Sequence, residues 1–112
     1  GDQARGVVVT QVFPSERSLN YPVIKEAMGL AKAKGIDELT PAMVEGFINA
    51  KVLVEGLRRA SPKPDRARML AALEGMRKFD LGGLELSYSA TDHSGLAFTD
   101  LSIVGSDGRF KR

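Results

Sequence analysis

Residues 41–60 constrain this chain more than any other stretch, because they form one long helix that is apolar over most of its girth. Thr40-Pro41 supplies a capping hydroxyl followed by proline at the first helical position. From there Met43, Val44, Phe47, Ile48, Ala50, Leu53, Val54 and Leu57 recur at three- and four-residue spacing. Only a narrow strip is polar: Glu45, Asn49, Lys51, Glu55, Arg58 and Arg59. Twenty such residues make a rod about 30 Å long. A helix with so wide an apolar face needs cover on more than one side.

The rest of the chain has little to supply that cover. At 112 residues it is one small domain at most, with 43% hydrophobic and 27% charged residues, the ordinary globular range. Gly6 to Phe13 is a β-branched run ended by Pro14, which reads as a strand buried on both faces. Pro22, with Asn20 or Tyr21 before it as cap, opens a first helix. Val23, Ala27, Leu30 and Ala31 share one face of it, and Gly35 is its stop. After the Ser61-Pro62-Lys63-Pro64 connector, Asp65 caps a third helix carrying Met69, Leu70, Leu73 and Met76. Beyond Gly82-Gly83, Leu84, Leu86 and Tyr88 alternate with polar residues as a half-exposed strand. Residues 91–95 have turn chemistry, a return strand is expected over 96–104, and Gly105-Ser106-Asp107-Gly108 makes a last turn. These readings give an α/β chain of about three helices and three strands. They divide it into a strand at 5–13, a helical region at 20–78 and a C-terminal hairpin region at 82–112.

Charge and motif content exclude several classes of function. Sixteen basic and fourteen acidic residues leave a net charge of +2, and the basic cluster of Arg58, Arg59, Lys63, Arg66 and Arg68 has no interleaved aromatics. A nucleic-acid footprint is not expected from that pattern. Its context is a helix end, where Arg58 and Arg59 complement the helix dipole. No cysteine is present, so disulfides and thiolate metal sites are ruled out. The only histidine, His93, lies between Asp92 and Ser94. Side chains adjacent in sequence point apart, so these three cannot form a relay, and they read as a turn. Asp107-Gly108 lacks the alternating acids of a calcium loop. Neither a catalytic residue, a metal site nor a cofactor is expected. Gly46, between Glu45 and Phe47 on the long helix, costs about 1 kcal/mol of helix propensity and suggests close approach of another group. Gly1 ahead of a polar stretch reads as a cleavage scar, and no apolar run is long enough to span a bilayer.

Five stretches carry a family resemblance. They are the strand and loop at 5–15, the helix at 44–59, the segment Phe79-Asp80-Leu81-Gly82-Gly83-Leu84, the turn at 91–95 and the ending at 104–110. In this order and spacing they resemble the C-terminal portion of the periplasmic substrate-binding proteins of branched-chain amino-acid ABC transporters. The resemblance implies a fragment of a two-lobed fold whose lobes are joined by crossover strands and close over a ligand in the cleft. It makes 5–13 the approach to a crossover and 20–78 part of the first lobe. It also implies a non-enzymatic function, a periplasmic location with a signal peptide in the parent, an amino-acid-like ligand and a membrane permease as partner. Of the cleft-lining positions only the aromatic at Phe47 falls in this chain. Relatives often carry tyrosine there, so the apolar wall is kept and the hydroxyl is lost.

Two further expectations concern partners. The uncovered helix and the unpaired strand Val7–Val12 predict self-association of the fragment, with strand exchange as one route. A different class of function is a small interaction module that docks a partner protein through helix 41–60.

Overall fold

A computed structural model describes residues 2–112; Gly1, read above as a cleavage scar, lies outside the described residues. After a 3-10 turn at Asp2–Ala4, the chain runs β1 (Val8–Gln11), α1 (Pro22–Ala33), α2 (Pro41–Ala60), α3 (Arg66–Glu74), β2 (Phe79–Asp80), β3 (Glu85–Ser89), β4 (Asp92–Gly95), β5 (Asp100–Val104) and β6 (Phe110–Lys111). The strands form two antiparallel sheets of three, ordered β1-β5-β6 and β2-β3-β4.

The helices start and stop where local chemistry directs them. Pro22 begins α1, which ends at Lys34 with Gly35 in the left-handed region at φ 75°. There the Ile36 N–H donates to the Ala31 carbonyl and the Gly35 N–H to the Lys32 carbonyl, the paired bonds of a Schellman stop. Thr40 Oγ1 accepts the Met43 N–H at 3.2 Å to cap α2, and Asp65 Oδ1 accepts the Arg68 N–H at 2.8 Å to cap α3.

One core joins α1, α2 and the β2–β3 strands. Val23, Ile24, Ala27 and Ala31 of α1 meet Val44 and Ile48 of α2, with Leu39, Met76, Leu81, Leu84 and Leu86 closing the cluster. Leu30, expected on the buried face of α1, is exposed. The Gly82-Gly83 turn seats α1 on the strands. Asp80 Oδ1 accepts both glycine N–H groups at 2.8 Å, and the Val23 N–H donates to the Gly82 carbonyl at 3.0 Å. A Cβ at Gly82 would lie 2.7 Å from the Val23 nitrogen, so this contact needs glycine. α3 contributes no buried residue and leans on α2 at Gly56, where a Cβ would meet the Met69 terminal methyl at 2.6 Å. Gly46, by contrast, faces open space with nothing within 4 Å of a Cβ. The close approach expected there occurs at Gly56.

The β-structure departs from the sequence reading in several places. Six strands replace about three, because short pairings at Phe79–Asp80 and Phe110–Lys111 are added and the stretch expected as a turn at 91–95 is mostly strand β4. Ser89 Oγ accepts the N–H groups of Thr91 and Asp92, which closes a tight turn and brings β4 back at once beside β3. The expected return strand therefore pairs elsewhere. Its β5 portion lies against β1, with Val8 opposite Ile103 and Thr10 opposite Leu101. The C-terminal hairpin is β5–β6 about the Gly105–Gly108 turn.

β1 was expected to be buried on both faces, and it is not. Partners across an antiparallel ladder share a face, so Val8, Thr10, Leu101 and Ile103 form one apolar side, and it is exposed: Val8 is 61% and Leu101 60% accessible. The opposite side is partly polar, where Gln11 Nε2 donates to Ser102 Oγ at 2.9 Å and Ser102 Oγ donates to the Val9 carbonyl. The radius of gyration, 16.4 Å, exceeds the roughly 13 Å of a compact chain this long. The excess fits a set of elements that lacks covering layers.

Candidate functional site

Phe47 sits in the second turn of α2, half-buried, its ring packed partly against the core cluster. Lys51, one turn on, places its ammonium 5.7 Å from the ring centroid, within cation–π range. The same ammonium is 2.5 Å from Glu26 Oε2 of α1, so its charge is matched inside the chain. Phe47 is thus held by α1 and α2 together, on one flank of α2.

The other flank borders two shallow grooves. One, of about 290 Å³, is lined by Phe13, Asn49, Val52, Tyr88, Ser94 and Leu96 among others. The second, of about 250 Å³, lies between α2, α3 and β4 and is lined by Val52, Leu70, Leu73, Glu74, Tyr88 and His93. Phe47 lines neither. The larger groove offers an amide and hydroxyls from Asn49, Ser94 and Tyr88 but no charged lining residue. A zwitterion buried there would lack counter-charges for both ends, and an unpaired buried charge is costly. In the smaller groove the two ionisable groups face each other, His93 Nε2 lying 3.2 Å from Glu74 Oε1. Asn49, in the polar strip of α2, and Tyr88, in the alternating strand, have no site role from sequence; the fold brings them to one groove.

The Asp92–His93–Ser94 stretch is not assembled as a relay. Asp92 Oδ1 accepts the Ser94 N–H at 2.9 Å, while the imidazole turns to Glu74 on another element. The Ser94 hydroxyl and N–H hold the Asp92 carboxyl below its ordinary range. Asp80 is lowered likewise by the Gly82 and Gly83 N–H groups. Glu55 is moved furthest, to about 2, because Arg58 and Arg59 donate to it. Its role is structural: with Arg59 also lying over the Phe79 ring at 5.6 Å, it ties the end of α2 to β2. Among the described residues no group of three or more His, Cys, Asp or Glu could hold a metal ion, and no helix is long and apolar enough to cross a membrane.

Two small antiparallel sheets and three helices, with apolar faces left uncovered on α2 and β1, form a piece of a larger α/β architecture. Solved structures identify which one. The chain is similar to a substrate-binding periplasmic protein from Ralstonia solanacearum, with 35% identity and a TM-score of 0.80, over 97% of this chain and 32% of that one. It is similar to an extracellular ligand-binding receptor from Verminephrobacter eiseniae, with 27% identity and a TM-score of 0.81, over 97% and 31%. A possible leucine/isoleucine/valine-binding protein from Rhodopirellula baltica matches with 29% identity and a TM-score of 0.80, over 100% and 31%. No family model and no curated protein matches the sequence. The chain is a fragment of the periplasmic substrate-binding-protein fold, spanning about a third of the length of the structures it matches.

Proposed function

We propose that this chain is part of an extracytoplasmic solute-binding protein that captures a branched-chain or related amino acid and delivers it to an ABC permease in the membrane. The observation that carries the reading is the match along 97–100% of the chain to binding proteins, one of them described as a possible leucine/isoleucine/valine binder. The chain alone lacks a complete ligand site. The groove beside Asn49 and Tyr88 has no charged lining residue, and in the neighbouring groove His93 and Glu74 face each other. In the complete protein the counter-charges come from the two-thirds of the fold that these residues do not include. Closure of two lobes over the ligand is then a population shift toward the state with more ligand contacts. Phe47 supplies an apolar wall of the cleft, and the parent resides in the periplasm. In isolation the chain self-associates. The outer edge of β1, at the end of the order β1-β5-β6, offers a route by pairing or strand exchange.

The interaction-module reading draws support from the exposure of Leu53, Val54 and Leu57 on α2. The whole-chain likeness to binding proteins favours the first reading. Phe47→Ala in the complete protein tests the site: ligand affinity should fall while the apo melting temperature stays nearly constant. A collapsed melting temperature with unchanged affinity would make Phe47 a core residue only.

A further inference from the structure

The elements of the chain form two bodies. No helix and no strand of β2-β3-β4 packs against the β1-β5-β6 sheet beyond isolated contacts. Among the described residues one ion pair joins the bodies, Arg109 to Glu38 at 3.7 Å, and both partners are more than half exposed. The chain passes between the bodies twice, after Gln11 and before Asp100. These two residues are partners in the β1–β5 ladder, so the connections leave the sheet side by side. Further on, both connections are anchored on the helical body. Phe13, Leu96 and Phe98 pack against the core cluster, and Phe98 meets the Tyr21 ring edge to face at 6.2 Å. Between the ladder and these anchors lie Val12 and Thr99, both exposed. That pair is where the chain can bend without breaking either body.

One side chain crosses this pivot. Arg112, just after β6, has its side chain only 13% exposed. Its Nη1 donates to Asp100 Oδ2 at 3.2 Å and to the Phe13 carbonyl at 2.8 Å. Asp100 belongs to the sheet and Phe13 to the anchored side, so the guanidinium spans the point of bending. Asp100 Oδ1 also accepts the Leu101 N–H at 2.8 Å, which fixes the carboxylate that holds the arginine. Arginine suits the place, because its fork of N–H groups serves two acceptors in set directions. We infer that Arg112 is a positioning residue for the hinge. Through Asp100 and the Phe13 carbonyl it holds the two bodies at one relative angle, the resting orientation from which the lobes of the complete protein close. The link to closure rests on the solute-binding reading; the clamp is a property of these residues themselves. A hydrogen bond from a charged donor is worth about tenfold or more in a two-state equilibrium. Orientations that break the Phe13 contact should therefore gain about tenfold in population when the donor is removed.

The test uses the complete polypeptide that carries this chain, without ligand. Spin labels are placed at Arg66 of α3 and Ser106 of the β5–β6 turn, exposed residues on the two bodies. Double electron-electron resonance then reads the distance between the bodies. Arg112→Met removes the donors and keeps a stem to pack. Asp100→Asn keeps an acceptor for the Leu101 N–H and frees the guanidinium. Both should broaden the distance distribution, Arg112→Met the more, with about tenfold more population outside the unmodified peak. Far-UV circular dichroism should stay unchanged in both. Arg112→Lys, which keeps a charged donor, should lie closer to the unmodified protein than Arg112→Met does. Distributions unmoved in the folded variants would overturn the clamp, as would broadening that comes with lost helical signal. If Arg112→Met does not fold, the Asp100→Asn distribution decides alone: broadened supports the clamp, unmoved overturns it. A complete protein that shows these changes but binds no amino acid would refute the solute-binding reading and keep the clamp. One that binds amino acid with distributions unmoved by either variant would do the reverse.

Discussion

Replacing Glu55 by glutamine removes a charge from the most strongly perturbed carboxylate in the chain while keeping its shape. Glu55 is nearly buried and accepts from Arg58 Nε at 2.9 Å, Arg58 Nη2 at 2.8 Å and Arg59 Nε at 2.6 Å. Those donors hold its pKa at about 2 against an ordinary 4.5. Each pH unit of displacement is worth about 1.4 kcal/mol, so the full effect is at most about 3–4 kcal/mol. The Arg58 side chain is 72% exposed, and solvent screens its part. A contribution of about 1–2 kcal/mol remains. The folded-state pKa lies below the unfolded one, so this stabilisation is fully present above about pH 4.5 and is lost as the pH falls toward 2. Urea unfolding of both chains at pH 7, 5 and 3 measures it. The unmodified chain should be more stable by about 1–2 kcal/mol at pH 7 and pH 5, with the gap narrowing at pH 3. Asp80, Asp92, Asp100 and Asp107 are also lowered, but they are common to both chains and cancel in the difference. A gap that is constant with pH, or absent at pH 7, would show that the charge of Glu55 does not stabilise the fold.

Three further substitutions probe local geometry. Gly82→Ala should lose about 2 kcal/mol or more in urea unfolding, since φ is 111° and a Cβ would press on the Val23 backbone. Gly46→Ala should raise stability by about 0.5–1 kcal/mol, because the added methyl meets nothing and helix propensity improves. His93→Ala should change stability by less than about 0.5 kcal/mol, as its side chain is 62% exposed and its contact with Glu74 is at the surface.

The helices were legible because their limits are written in local chemistry. Pro22, Thr40-Pro41, Asp65 and Gly35 each act through a bond or a φ angle within a turn of the residue itself. The strands were harder, since pairing depends on residues far apart in the chain. Nothing between Leu96 and Val104 reveals that its partner is Val8–Gln11 some ninety residues earlier. The β-branched run in β1 was read as doubly buried because that composition needs cover, and the cover is what this third of the fold lacks. The same gap limits the site. Phe47 could be placed by resemblance, and the structure fixes its packing against Lys51 and the core. Asn49 and Tyr88 come together only when β3 is laid against α2, a contact no sequence spacing announces.

Calorimetric titration with leucine, isoleucine and valine is the most direct test that this chain is one part of a solute-binding protein. The titration compares the isolated 112-residue chain with the complete polypeptide that carries it. Saturable binding of at least one of these amino acids is expected from the complete protein and none from the isolated chain, which spans about a third of the fold. Saturable binding by the isolated chain with the same affinity, or a complete, folded protein that binds no amino acid, would contradict it.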